Sequence, residues 1–223
     1  MPAKDLTCVA GIDEAGRGPV IGPLVVCGIM LPVERVSELT EIGVRDSKRL
    51  TPARRRVLSD QIRAVAERVC VRVVSAREID NLRRRGVSLN RIELDLFVSI
   101  VKELHPDWVI MDAADVNAAR FGRLVADESG LSTTKFTAEH KADEHNVVVA
   151  AASIVAKVRR DHEIELLRKR YGDFGSGYPS DRKTIEYIRR IVHSQQPLPP
   201  IVRKTWKSVE RIICAFESSQ QTL

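Results

Sequence analysis

Two apolar runs rich in Val and Ile, Thr7 to Ile12 and Leu24 to Leu31, are each bounded by Gly or Pro. This pattern predicts two buried strands. The stretch between them, Gly11 to Pro23, holds four glycines and two prolines, so the chain turns tightly there. Thr51 followed by Pro52 predicts a helix cap with proline at the first helical position, the helix running to about Glu67. Arg68 to Ser75 is β-branched and partly alternating, which predicts a third strand. Leu89, Ile92, Leu96, Phe97, Ile100, Val101 and Leu104 follow helical spacing, and Asn90 with Glu93 resembles a capping box. Trp108 to Met111 is a short buried-type strand that stops at Asp112. Asp115 is expected to cap a helix ending near Gly130, with Thr133 to Thr137 as a further strand. A long helix is expected over Glu144 to Lys169, with Val148, Ala151, Ala152, Val155, Val158 and His162 near one stripe. After a loop with three glycines (Gly172 to Pro179), helices are expected over Arg182 to His193, capped by Asp181, and over Lys204 to Glu217.

Strands first, then strands alternating with helices, then an all-helical end read as α/β, with a mixed sheet and a helical C-terminal extension. The division expected is a core over residues 1–172 and an extension over 173–223. Hydrophobic residues make up 43% of the 223 and charged residues 30%, which excludes global disorder. Aromatics are 4%, so the core must be built from Val, Ile, Leu and Ala. The net charge of +6 sits wholly in Arg182 to Arg211, which carries eight Lys or Arg against two Glu. A basic patch confined to one end suits a polyanionic partner. The four cysteines are scattered without C-x-x-C spacing, which speaks against a zinc site or disulfide framework and for reduced thiols in a cytoplasm. The longest apolar stretch, Val147 to Ala156, is too short to span a bilayer.

The acidic residues fall at telling places. Asp13 and Glu14 follow one strand, Asp112 ends another, and Asp143 opens the long helix after a third. In an open α/β sheet, ligands collect at the carboxyl ends of strands. Carboxylates brought together there repel one another unless a hard cation neutralises them, and Mg²⁺ or Mn²⁺ suits an oxygen-only site. Two such ions are the usual device for attack on a phosphodiester. Taken singly, a strand-ending Asp is more often a cap or turn residue. Adjacent acids after a buried strand are harder to dismiss, because they are costly without a counter-charge. Gly16–Arg17–Gly18 follows at once; two glycines let a backbone approach a phosphate or sugar hydroxyl, and Arg17 can reach a phosphate. The loop lacks Gly-Lys-Ser/Thr and is not a P-loop; alone it would read as a hairpin turn.

Six segments in order are similar to the archaeal type of ribonuclease HII: GIDEAGRGPVIGPLVV (Gly11 to Val26), RDSKRLTP (Arg45 to Pro52), DAADV (Asp112 to Val116), EHKAD (Glu139 to Asp143), AAASIVAKVRRD (Ala150 to Asp161) and GSGYPSD (Gly175 to Asp181). The likeness continues to PPIVRKTWK (Pro199 to Lys207). The related ribonuclease HIII usually carries an extra N-terminal domain, for which seven leading residues leave no room. The resemblance implies an RNase H-like fold and a metal-dependent endoribonuclease that hydrolyses RNA in RNA–DNA hybrids. It also implies incision on the 5′ side of single ribonucleotides in duplex DNA, leaving 3′-hydroxyl and 5′-phosphate ends. By resemblance Asp13, Glu14, Asp112 and Asp143 are the catalytic, metal-holding carboxylates, with Asp13 bridging two ions. Gly16, Arg17 and Gly18 correspond to the loop that senses the 2′-hydroxyl, and Tyr178 to a tyrosine that packs on the neighbouring sugar. Lys48, Lys141, Ser153 and Lys157 sit in matching motifs as phosphate contacts.

His140 and His145 flank Asp143 and read as surface or supporting residues, since the site type takes oxygen donors. After HKAD the family pattern has an acid, an aromatic and Pro; here Glu144, His145, Asn146 and Val147 stand instead, so the helix start is expected to differ in detail. The final QQTL (Gln220 to Leu223) has the Gln and Leu spacing that opens a sliding-clamp-binding peptide, without the two aromatics that follow. A monomeric enzyme is expected. Two other readings stay open on residues alone: a non-catalytic duplex-binding module, and a metal-dependent phosphatase acting on small substrates.

Overall fold

A computed structural model describes residues 7–44 and 50–220. The strands are β1 (Cys8–Ala15), β2 (Leu24–Pro32), β3 (Arg68–Val74), β4 (Trp108–Asp112) and β5 (Lys135–Glu139). The helices are α1 (Val36–Glu41), α2 (Pro52–Val65), α3 (Ala76–Arg84), α4 (Leu89–Leu104), α5 (Ala118–Ser129), α6 (Ala142–His145), α7 (Val147–Tyr171), α8 (Arg182–His193) and α9 (Lys207–Gln220). They form two compact units, each drawn from separated stretches of chain. One takes in residues up to Ala15, Val25–Val73 and Asn90–Arg159; the other takes in Gly16–Leu24, Val74–Leu89 and residues from Arg160 on.

The first unit is built on a mixed sheet ordered β3-β2-β1-β4-β5. β1 runs antiparallel to β2 and parallel to β4, which is parallel to β5. Side chains alternate across a strand, so each strand serves both faces. Val9, Ala15 and Ile110 look onto a layer that includes Leu39 of α1, Leu58 and Ile62 of α2 and the Val148–Ala156 part of α7. Ala10, Ile12, Val109 and Met111 look onto α4 and α5. Two glycines let the helices come close. A Cβ on Gly11 would stand 2.4 Å from the Val148 backbone of α7, and one on Gly28 2.4 Å from Ile100 of α4. The run Val147–Ala156 is apolar because it is the buried cover of the sheet.

The second unit has its own core, in which Val20, Ile21, Ile164, Phe174, Tyr187, Ile188, Leu198, Val202 and Val209 pack together. Asp181 caps α8 through the Lys183 N–H, as expected. Thr51 likewise caps α2, accepting the Arg54 N–H at 3.3 Å with Pro52 at the first helical position.

Other expectations need correcting. β1 continues through Ala15, paired with Val25, so Asp13 and Glu14 lie within the strand and not after it. Asn90 is not a cap; it lies inside α4 and its amide donates to Asp115, while Glu93 is fully buried. The capping box belongs to Ser75 and Glu78 at the start of α3, a helix whose strongly polar sequence hid it. Asn117, not Asp115, caps α5; Asp115 holds the preceding turn through the Asn117 N–H at 2.9 Å. The long helix is broken at Asn146, whose extended backbone ends α6 and whose side chain accepts the Val148 and Val149 N–H groups to start α7. The last helix starts at Lys207 and not Lys204, because the Lys204 and Thr205 N–H groups are taken by buried Asp80.

Candidate active site

Alternation along β1 puts Asp13 on the α7 face with Val9 and Ala15, and alternation along β4 puts Asp112 there with Ile110. The parallel register pairs Ile12 with Met111, so Asp13 and Asp112 are the next positions along neighbouring strands. Asp13 is only 5% exposed. Burial pushes its carboxyl well above the usual range, and the charges of Glu14 and Asp112 push further; the Ser153 hydroxyl of α7 and the Glu14 N–H, 2.7 Å from Oδ1, offset part of this. Glu14, half-buried, starts out from β1 toward the opposite face. Asp112 accepts the Lys141 N–H at 2.9 Å, which ties β4 to the turn that opens α6. Asp143 stands in the first turn of α6, with the Lys157 ammonium of α7 3.9 Å from its Oδ2. Asp143, Asn146 and Val147 border a cavity that also touches Thr40 and Val44.

Three of the expected phosphate contacts, Lys141, Ser153 and Lys157, lie in this unit. Lys141 meets Asp112 through its backbone N–H; it holds a left-handed φ of 57°, and its side chain is 75% exposed with its ammonium 3.9 Å from Glu144. Ser153 is wholly buried beside Asp13. Lys157 stands over Asp143. Lys48 lies outside the described residues. His145 bonds Glu139 at 2.7 Å and His140 the Val116 carbonyl at 3.1 Å, both exposed, in keeping with supporting roles. Among the described residues, no three His, Cys, Asp or Glu side chains already form a ligand cage.

The second unit holds Gly16, Arg17, Gly18 and Tyr178. The loop after β1 is clamped on two sides. The Val20 and Ile21 N–H groups donate to the Gly177 carbonyl at 2.8 and 3.2 Å, and Val202 pairs with Ile21 as a short antiparallel bridge. A Cβ on Gly177 would meet the Ile21 carbonyl at 2.9 Å, and its φ is 82°, so this clamp requires glycine. The clamp sets Tyr178 beside the loop: a Cβ on Gly18 would lie 3.8 Å from its ring, which is 41% exposed. Gly16 has φ 93° and no room for a side chain, since a Cβ there would lie within 2.7 Å of both Pro23 O and the Arg160 side chain.

Two arginines that sequence reasoning passed over lie here. The Arg160 guanidinium sits 5.6 Å from the Tyr178 ring, and its Nε and Nη2 are buried without a hydrogen-bond partner among the described residues. Arg203 is fully buried and donates to three loop carbonyls, Gly22 O at 3.0 Å, Arg17 O at 3.0 Å and Gly16 O at 2.6 Å. Desolvation, and then the Arg160 charge, pull its proton affinity below the usual range. Its position in a basic stretch suggested a phosphate contact; no local signal marks one arginine of that stretch as internal.

The sequence pattern of the family described as ribonuclease HII matches residues 10–209. The chain belongs to the ribonuclease HII family. It is 47% identical over 217 residues to the ribonuclease HII of Pyrococcus furiosus, covering 96% of this chain and 95% of that one. Among solved structures it is similar to the ribonuclease H2 of Pyrococcus horikoshii OT3, with a TM-score of 0.86 and 42% identity over 94% of this chain and 99% of that one. It is likewise similar to a chain of the PCNA:RNase HII complex of Archaeoglobus fulgidus, with a TM-score of 0.84 and 42% identity over 92% and 96%. Ribonuclease HII membership makes the chain an endoribonuclease with an RNase H-like fold, acting on RNA in RNA–DNA hybrids and dependent on divalent metal ions. Among the described residues no helix is long and apolar enough to cross a membrane.

Proposed function

We propose that this chain incises duplex DNA on the 5′ side of a single embedded ribonucleotide, as well as RNA in longer hybrids, and leaves 3′-hydroxyl and 5′-phosphate ends. The observation that carries the reading is Asp13, a buried carboxyl made costly to ionise by burial, Glu14 and Asp112. An all-oxygen donor set in mutual repulsion fits hard cations, and Asp13, Glu14, Asp112 and Asp143 would hold two of them, Mg²⁺ or Mn²⁺. When bound, such ions supply an activated water and neutralise charge on the leaving oxygen. The chain's own part is to orient the carboxylates. The Lys141 N–H turns Asp112, and Lys157 steadies Asp143.

Recognition falls to the second unit. Gly16–Arg17–Gly18 senses the 2′-hydroxyl that distinguishes RNA from DNA, and Tyr178 packs on the adjacent sugar. Phosphates are met by Lys48 of the first unit and by the Lys and Arg residues of the Arg182 to Arg211 stretch other than buried Arg203, so binding weakens steeply with salt and depends little on base sequence. The chain also docks a sliding clamp through its C-terminal residues, of which 221–223 lie outside the described ones; a PCNA:RNase HII complex of Archaeoglobus fulgidus supports a clamp partner. The deciding experiment is cleavage of a DNA duplex with one ribonucleotide, in Mg²⁺, Mn²⁺ or EDTA, with the ends identified. Metal-dependent 5′ incision is expected. Cleavage of long hybrids without incision at the single ribonucleotide would overturn the reading.

A further inference from the structure

The loop Gly16–Arg17–Gly18 is turned by a residue 187 positions along the chain from Gly16. The Arg203 side chain reaches it from the segment that follows Pro197, Pro199 and Pro200, and its three donors fan out to Gly22 O, Arg17 O and Gly16 O. The backbone of the same residue is anchored too, its N–H donating to Val20 O at 2.8 Å. Trp206 lies against the guanidinium at 4.8 Å, and Asp80 fixes the next two residues through Lys204 N, Thr205 N and the Thr205 hydroxyl. A planar fork with five directed donors can serve three carbonyls at once; an ammonium, a point charge on a flexible stem, cannot hold them in fixed directions.

Peptide geometry gives this clamp a consequence. None of the described peptide bonds is cis. In a planar trans peptide the C=O of one residue and the N–H of the next point in opposite directions. With the Gly16 and Arg17 carbonyls drawn to Arg203, the N–H groups of Arg17 and Gly18 face the other way. We propose that Arg203 is the positioning residue for 2′-hydroxyl discrimination: without touching substrate, it sets the Gly16–Arg17 and Arg17–Gly18 peptide planes so that their N–H groups present to the ribose. This rests on the reading of the glycine loop as the ribose sensor.

The test measures binding by the full chain carrying Asp13→Asn, so that substrate stays intact, to a DNA duplex with one ribonucleotide and to the matching all-DNA duplex. The ratio of the two affinities is the readout. Adding Arg203→Lys is expected to cut that ratio about tenfold while all-DNA binding stays within about twofold, the size of losing one or two directed hydrogen bonds. Parallel loss on both duplexes would show a merely structural arginine and overturn the proposal, as would an unchanged ratio. If Arg203→Lys does not fold, Trp206→Leu, which frees the guanidinium plane, is expected to move the ratio the same way by a smaller factor; no change there overturns the proposal equally. Gly18→Ala separates the two levels of inference. If it lowers the ratio and Arg203→Lys does not, the positioning role fails and the loop's role stands. If neither does, the loop is not the ribose sensor.

Discussion

The carboxylate face of the five-stranded unit and the loop cluster of the second unit solve opposite electrostatic problems. On the sheet face, like charges stand together and burial makes Asp13 hard to ionise. In the loop cluster, buried positive charge is surrounded by neutral carbonyls, and the Arg203 donors are spent on backbone oxygens. The first arrangement is tense until a cation arrives, which suits chemistry. The second is held by Arg203 bonded to three backbone carbonyls, which on the proposed reading suits measurement of a substrate's shape. A reacting site benefits from groups whose ionisation is finely poised, whereas a discriminating site benefits from donors that do not move.

The comparison can be broken most sharply at Asp13. Asp13→Asn is expected to lower cleavage by at least about a thousandfold, about 4 kcal/mol of transition-state stabilisation, with hybrid binding largely intact; cleavage near the wild-type rate would remove the metal assignment. The same variant probes the tension itself in the metal-free protein. A carboxyl whose folded pKa is raised binds its proton more tightly folded than unfolded, so its contribution to stability declines as pH rises from the ordinary carboxylate range through the raised value. In EDTA at pH 8, Asp13→Asn is therefore expected to melt above wild type, and the gap to close as the pH is lowered toward 4. A gap independent of pH would mean that Asp13 is not the strained group.

On the recognition side the effects are smaller and more selective. Gly18 has room for a methyl, with the Tyr178 ring 3.8 Å from it, so Gly18→Ala should keep its melting temperature. Its kcat/KM on a single-ribonucleotide duplex is expected to fall on the order of tenfold, as when a site built to bond a hydroxyl is misfitted. Tyr178→Ala is expected to cost about threefold to tenfold at the RNA–DNA junction, the size of one lost stacking contact, and clearly less on long hybrids; equal losses on both substrates would deny a junction role. Smallest of all is Lys141→Ala. Because its backbone N–H and not its side chain meets Asp112, activity should change by less than about twofold, the scale of an exposed ion pair. A tenfold drop would restore its side chain as a phosphate contact.

Much of the fold was legible because strands here are long apolar runs ended by Gly or Pro, and α4 carries a clear helical stripe. Asp112 at the end of β4 was legible for the same reason, whereas Asp13 and Glu14 lie inside β1, because pairing with β2 carries the strand past the apolar run to Ala15. α3 was not legible, since six of its nine residues are polar and the Ser75–Glu78 box is its main signal. Nor was the break at Asn146, where one side chain serving two N–H groups outweighs the helical preference of its neighbours. Nor was the backbone bond from Lys141 to Asp112, which the side-chain identity does not report.

From residue types and spacing came the α/β class and a set of candidate carboxylates beside a glycine loop; the likeness of six ordered segments supplied the family. Those are local patterns, and local sequence carries them. What tertiary structure alone decided was which charges are buried and what they face. It put Asp13 and Asp112 on one side of the sheet, turned Ser153 inward, and withdrew Arg203 from solvent to hold a loop almost the whole chain away. Burial and partnership arise from contacts between residues far apart in sequence, so no window along the chain contains them.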